Sequence, residues 1–329
     1  MQPSADLLVL PARESARRIA LAQLKVLVKA RDKLNRDSES LHQFRVSIRR
    51  LRSLLRAYKG ELEDSVKKKS RRELRTLTQS TNESRDAEVQ LAWLRAQMPG
   101  LNRTQLAGVT LLIDRIEKAK CKADKLLYRT VDTKFEDVRR RLAGSLSSPF
   151  PAKESNANAA SKRTAANAFA RQVTRLAFSL ERNMALVRFP SSLNEAHQAR
   201  IACKRLRYLI EPFTNGVGEC RTCVNTLKTL QDLLGDLHDA QLLEKEVSSF
   251  LKKPEDQRAH SPRDTKRAGK SDPGAPRRAA RYDPRAGLAE IVSRLRVRRE
   301  ATHTKMISAW EKGIYAPLLR DIPKLAGKL

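Results

Sequence analysis

Five cationic side chains, His42, Arg45, Arg49, Arg52 and Arg56, recur at three- and four-residue steps. On a helix that spacing draws them onto one stripe. The same run returns 155 positions later (197 − 42), as His197, Arg200, Lys204 and Arg207, with Glu211 opposite Arg56. The first copy reads His-Gln-Phe-Arg-Val-Ser-Ile-Arg-Arg-Leu-Arg and the second His-Gln-Ala-Arg-Ile-Ala-Cys-Lys-Arg-Leu-Arg. Like charges at these steps repel by a few tenths of a kcal/mol per pair. A solvated helix face normally interleaves acids with its bases, yet neither stripe carries an acid before its last position. Arginine predominates, and its planar fork suits bidentate capture of phosphate or carboxylate oxygens. The chemistry expected of these residues is therefore anion binding. Arg50 and Arg205 point about 80° away from the stripe on a wheel of 100° per residue and serve a different neighbour.

Each stripe needs a helix with a buried side to hold it. In the first copy Phe44, Ile48, Leu51, Leu54, Leu55 and Tyr58 form the adjoining apolar face; Ala199, Cys203, Leu206, Leu209, Ile210 and Phe213 take those places in the second. Ser40 is placed to cap the first basic helix, which ends near Gly60. Helical spacing continues over 15–35, 62–80, 85–98, 163–187, 223–234, 239–251 and 288–312. The stretch 101–142 reads as one long helix or two. Pro99-Gly100, Pro190-Ser191-Ser192 and Gly216-Val217-Gly218 are breaks. No alternation of period two occurs, so no sheet is expected. The repeat divides the chain into a first helical half (15–145), a Ser-, Pro-, Asn- and Ala-rich linker (146–161) and a second half (162–315). A basic, Pro- and Gly-rich insert over 253–285 reads as loop.

The 329 residues hold 67 Lys and Arg against 37 Asp and Glu, a net charge of +30. Such a field favours a polyanionic partner: nucleic acid, an anionic membrane surface or an inorganic polyanion. Aromatic residues are only 5%, which counts against single-strand binding by base stacking. No stretch has the apolar length of a membrane span. The first residues lack a secretory pattern, and four cysteines make no disulfide framework, so a cytoplasmic location is the expectation.

The pattern His-x-x-Arg-Val-x-x-Arg-Arg-Leu-Arg, returning as His-x-x-Arg-Ile-x-x-Lys-Arg-Leu-Arg-Tyr-x-x-Glu-x-Phe, resembles the CHAD domain, the conserved histidine α-helical domain. Arg85-Asp86-Ala87-Glu88-Val89 is similar to its first-half Arg-Asp motif. Leu230, Gln231, Leu234, Gly235 and Asp239 are similar to its second-half counterpart. The resemblance implies an all-α fold of two four-helix bundles related by a pseudo-twofold axis, with the basic residues of both halves around a central cavity. It implies binding of inorganic polyphosphate and location at polyphosphate granules. The residues so implicated are His42, Arg45, Arg49, Arg50, Arg52, Arg56, His197, Arg200, Lys204, Arg205 and Arg207, with Arg85, Asp86, His238 and Asp239 in support. The triphosphate tunnel domain fused to some members is marked by Glu-x-Glu-x-Lys; here Glu61 and Glu63 are followed by Ser65.

Other chemistry is weaker in the residues. His42 and His197 have no adjacent acid to orient them and no Ser or Cys nucleophile within a turn on the same face, so hydrogen bonding to phosphate is expected rather than acid–base work. A histidine at the end of an arginine stripe should have its pKa lowered. Cys220 and Cys223 are half of a zinc site without a second pair, and read as plain thiols. Asp86 and Asp239 orient a basic side chain or cap a helix. No glycine-rich phosphate loop and no carboxylate cluster is present. The expectation is thus a non-catalytic polyphosphate-binding protein without cofactor or metal. A nucleic-acid-binding protein using the same basic surface is the alternative.

Overall fold

The computed structural model describes residues 7–34, 37–147, 164–214, 218–252, 284–313 and 315. Among them there is no strand, and one isolated bridge joins Pro11 to Thr164. The first half contains α1 (Ala12–Asp32), α2 (Ser38–Ala57), α3 (Lys68–Ser80), α4 (Asn82–Gln97) and α5 (Arg103–Ser147). The second contains α6 (Ala165–Ala185), α7 (Leu193–Ile210), α8 (Gly218–Lys252) and α9 (Pro284–Glu311). The expected all-α fold is present. Most of the proposed linker and most of the insert lie outside the described residues; α5 runs on to Ser147, and Pro284 and Arg285 belong to α9.

Helix limits differ from the sequence expectations in four places. Asp37, not Ser40, caps α2: its carboxylate accepts from the Ser40 N–H at 2.7 Å. Residues 58–67 form turns rather than the start of a helix. Tyr58, Leu62 and Val66 each donate to the carbonyl four residues back, which reproduces helical apolar spacing without a helix. The Arg71 guanidinium gathers the carbonyls of Leu55, Leu62 and Val66 and so staples the end of α2 to this turn. The stretch read at 101–142 is one helix, which begins at Arg103 and runs for 45 residues. Finally, α8 is continuous through Gly235, whereas its first-half counterpart is broken between α3 and α4 at Thr81.

The apolar faces read from the two basic helices are buried as expected. Phe44, Ile48, Leu51, Leu54, Leu55 and Tyr58 are at most 4% exposed, and Ala199, Cys203, Leu206, Leu209, Ile210 and Phe213 at most 1%. Each such large side chain contributes about 1.5–3 kcal/mol when fully buried. These residues share one continuous cluster with α1, the second part of α5, α6 and α8. A second cluster joins Leu91 and Leu94 of α4 and Val109, Leu112 and Ile113 of α5 to Val247 and Phe250 of α8 and Leu288, Ile291 and Leu295 of α9. Both clusters cross from one half to the other. Four helix pairs do the same: α1 with α6, α2 with α7, α4 with α8 and α5 with α9. The α9–α5 contact is close enough that a Cβ on Gly287 would lie 2.0 Å from the carbonyl oxygen of Gln105. Among the described residues no helix is long and apolar enough to cross a membrane.

Candidate polyanion-binding site

Because α2 packs against α7, the two basic stripes meet at the seam between the halves. Arg49 of α2 and Arg200 and Lys204 of α7 lie within one another's electrostatic reach, and Asp86 of α4 and Asp239 of α8 face them. Burial, reinforced by Arg200 and Arg49, pulls the Lys204 ammonium from 10.5 to about 7. Burial also holds the Arg49 guanidinium below its ordinary value, with Tyr208 opposing and Arg200 and Arg45 reinforcing. The two aspartates are pushed up, chiefly by desolvation, despite the cations beside them. Neither aspartate is a helix cap, since both lie well inside α4 and α8. They act as counter-ions in the seam.

The histidines separate. His197 lies beside His238, with ring centroids 4.8 Å apart and the ring planes tilted by 39°. Burial comes first in lowering both: Arg200 follows for each, and His238 falls to about 4. Both shifts favour the neutral imidazole, the direction expected of a histidine beside arginine. The Nδ1 atoms of both rings and the Nε of Arg200 are buried without a hydrogen-bond partner among the described residues. His42 is exposed.

Three arginines of the expected anion-binding set already have carboxylate partners. Arg45, only 1% exposed, donates to Glu88 at 2.8 Å and to the Ser84 hydroxyl at 2.7 Å. Ser84 in turn donates to Asp124, which also pairs with Lys120. Arg45 thus binds α2 to α4 and α5 from inside, because a buried guanidinium must be paired. Arg50 donates to Glu211 through Nε (2.9 Å) and Nη2 (2.5 Å). Arg207 approaches the same carboxylate at 3.5 Å, donates to Gln231 at 3.0 Å and covers the Tyr208 ring. Arg85 pairs with Glu88 at 3.4 Å.

Arg52, Arg56 and Arg205 have no carboxylate partner among the described residues. Burial, reinforced by Arg56, Arg175 and Arg52 in that order of effect, lowers Arg205 to about 10. Arg52 is lowered by burial, then by Arg75 and Arg56. Sequence reading missed Arg75 of α3 and Arg175 of α6, because neither lies on the repeated helices and packing, not its own helix, decides what each faces.

Other features are not anion sites. A groove of 830 Å³ between α4 and α5 is lined by Glu88, Glu117, Asp124 and Asp132 as well as by Arg95, Lys120, Lys125 and Arg129. Its charges balance. Cys220 and Cys223 are buried thiols outside any disulfide, and among the described residues no group of three or more ligating side chains could hold a metal ion.

This seam of cations from two repeated helices belongs to a recognisable class of protein. The CHAD domain profile matches residues 18–248, and the chain belongs to that family. Among solved structures it is similar to the CHAD domain from the plant Ricinus communis, at 20% identity over 88% of this chain and 96% of the other, with a TM-score of 0.59. It is also similar to PptA from Streptomyces chartreusis, at 18% identity over 94% and 99%, with a TM-score of 0.63. No protein of curated function matches it by sequence.

Proposed function

We propose that this chain binds inorganic polyphosphate, without turning it over, in the seam between α2 and α7. One observation carries the reading: two helices of identical register bring cations from both halves into one partly buried line, where they exceed the nearby acids. Arg49, Arg52, Arg56, Arg200, Lys204 and Arg205 supply the charge, and His197 and His238 supply neutral hydrogen-bonding groups. Binding proceeds by release of counterions from the polyanion, with guanidinium forks fixing individual phosphates.

A phosphate chain is narrow enough to lie along two crossing helices, whereas a duplex needs an open footprint. Partial burial of Arg49 and Lys204 favours the former, because a broad partner does not reach side chains held below the surface. The Cys203 thiol beside the cluster donates to the Leu227 carbonyl and is pushed up to about 12 by burial, so it is no nucleophile. Association with polyphosphate granules follows from such binding. The test is a titration with long-chain polyphosphate, competed by double-stranded DNA at one moderate salt concentration. Polyphosphate should resist displacement by a large excess of DNA phosphate. Equal competition per phosphate would transfer the assignment to nucleic acid.

A further inference from the structure

Helix α6 has two faces of different character. Phe169, Val173, Leu176, Leu180 and Met184 turn inward and are at most 3% exposed. Opposite them, about 160° away on a wheel of 100° per residue, runs a second line: Arg171, Arg175, Phe178, Arg182 and Leu186. These five follow one another at four- and three-residue steps, which place neighbouring Cβ atoms about 5–6 Å apart. All five are exposed. Phe178 is 65% exposed and Leu186 50%.

The line continues past the end of the helix. Buried Val187 pins the next turn to the core, and the turn closes on itself. The Phe189 N–H donates to the Ser192 hydroxyl at 3.3 Å, and the Ser192 N–H donates to the Phe189 carbonyl at 2.9 Å. Phe189 is thereby held outward, 65% exposed, next to the exposed Arg188. The other described phenylalanines, Phe44, Phe135, Phe169, Phe213 and Phe250, are all buried. Two exposed phenylalanines and a leucine set among arginines on one edge are therefore a departure from how this chain otherwise treats such side chains.

Charge and shape say what covers the edge. Arg171, Arg182 and Arg188 have no carboxylate partner among the described residues, while Arg175 donates to the Gln172 side chain. Glu181 is the one acid between positions 165 and 192. A second copy of the chain is a poor occupant, because a twofold interface would set these arginines against themselves. A single nucleic-acid strand needs a groove that follows its backbone, whereas the outer edge of a helix is convex. A bilayer accepts a convex edge: lipid phosphates lie level with guanidinium groups, and the acyl boundary lies within reach of longer apolar side chains.

We propose that the outer edge of α6 and the turn after it dock on an anionic lipid bilayer, with Phe178, Leu186 and Phe189 entering the head-group layer and Arg171, Arg182 and Arg188 meeting lipid phosphates. The contact is peripheral. It goes beyond the polyphosphate reading and does not rest on it, since that reading uses the seam between α2 and α7.

The experiment floats the full chain with vesicles of phosphatidylcholine alone or mixed with phosphatidylglycerol, at one moderate salt concentration. Circular dichroism checks the fold of each variant. The wild type should bind the anionic vesicles about tenfold or more tightly than the neutral ones. F178S/F189S keeps the net charge and should lose about tenfold in vesicle affinity, while its titration with long-chain polyphosphate stays as in the wild type. F178W/F189W should retain vesicle binding, because tryptophan also suits the interface. L126S, which removes an exposed apolar side chain from α5, should change it less than about twofold. Wild-type affinity for F178S/F189S would overturn the surface, since binding would then be a general effect of positive charge. Equal binding of neutral and anionic vesicles, or of neither, would overturn the lipid partner. Loss of oligothymidylate binding in F178S/F189S without loss of vesicle binding would assign the edge to single-stranded nucleic acid instead. A wild-type dimer that F178S/F189S dissolves in the ultracentrifuge, with vesicle binding unchanged, would assign it to a second copy. Failure of the polyphosphate titration alone would leave this surface standing.

Discussion

Lys204 shows how burial converts a fixed charge into a titrating one. Its ammonium is drawn down to about 7, first by desolvation and then by Arg200 and Arg49. A polyanion in the seam favours the charged form, so binding near pH 7–8 should take up a proton. Calorimetry in buffers of different ionisation enthalpy measures that uptake directly; K204R should abolish it while keeping affinity, and zero uptake by the wild type would contradict the burial. The same shift bears on stability. The folded pKa lies below the unfolded one, so the unfolded chain holds the extra proton between about pH 7 and 10.5. Through that window this group's contribution to stability rises with pH, and below it the cost of the buried charge is carried in full. Arg45 makes the opposite point. It shares the stripe of Arg49 in sequence, yet it is spent on Glu88 and Ser84. Breaking a buried pair costs about 3–5 kcal/mol, so E88Q and R45Q should each melt several degrees lower. R45Q, where still folded, should lose much less polyphosphate affinity than R49Q. Equal affinity losses for R45Q and R49Q would return Arg45 to the binding surface.

At the scale of helices, tight approach is as informative as charge. Gly287 allows α9 to press on the start of α5, and any side chain there meets the Gln105 backbone. G287A should therefore destabilise by about 1–3 kcal/mol through overpacking, seen as a lower melting temperature, with the basic seam and its affinity intact. An unaltered melting curve would show that the contact yields. The repeated helices were legible in the sequence because each carries a full apolar face, and every residue of those faces is buried in the fold. The turn at 58–67 was not legible: Leu62 and Val66 keep helical spacing, while the decisive partner, Arg71, offers its guanidinium to three carbonyls from the next helix. Nor was the unity of α8, since Gly235 weakens a helix in isolation but here lies against the Arg200 side chain of α7. The charge stripes were legible as stripes. What each cation faces was not, because Glu88 and Glu211 reach Arg45 and Arg50 from 43 and 161 positions away, beyond any reading of one helix alone.

For the molecule as a whole, the repeat gives two halves that are alike but not separate. Both apolar clusters cross between them, and the segment before α1 lies along the start of α6, with the Ala165 and Ala166 N–H groups donating to the carbonyls of Leu10 and Leu8. Unfolding should accordingly follow one cooperative transition in calorimetry, and two resolved peaks would contradict the shared core. The same crossing has a consequence for the covalent chain. Among the described residues four helix pairs and two clusters already join the halves, so the covalent connection is expected to be a matter of stoichiometry more than of architecture. Residues 1–155 and 156–329, made as two polypeptides in one cell, should purify as a one-to-one complementing pair that binds polyphosphate. Either piece made alone exposes half of a core and should aggregate. A gene for this protein could be split at its own point of duplication and still encode the same particle.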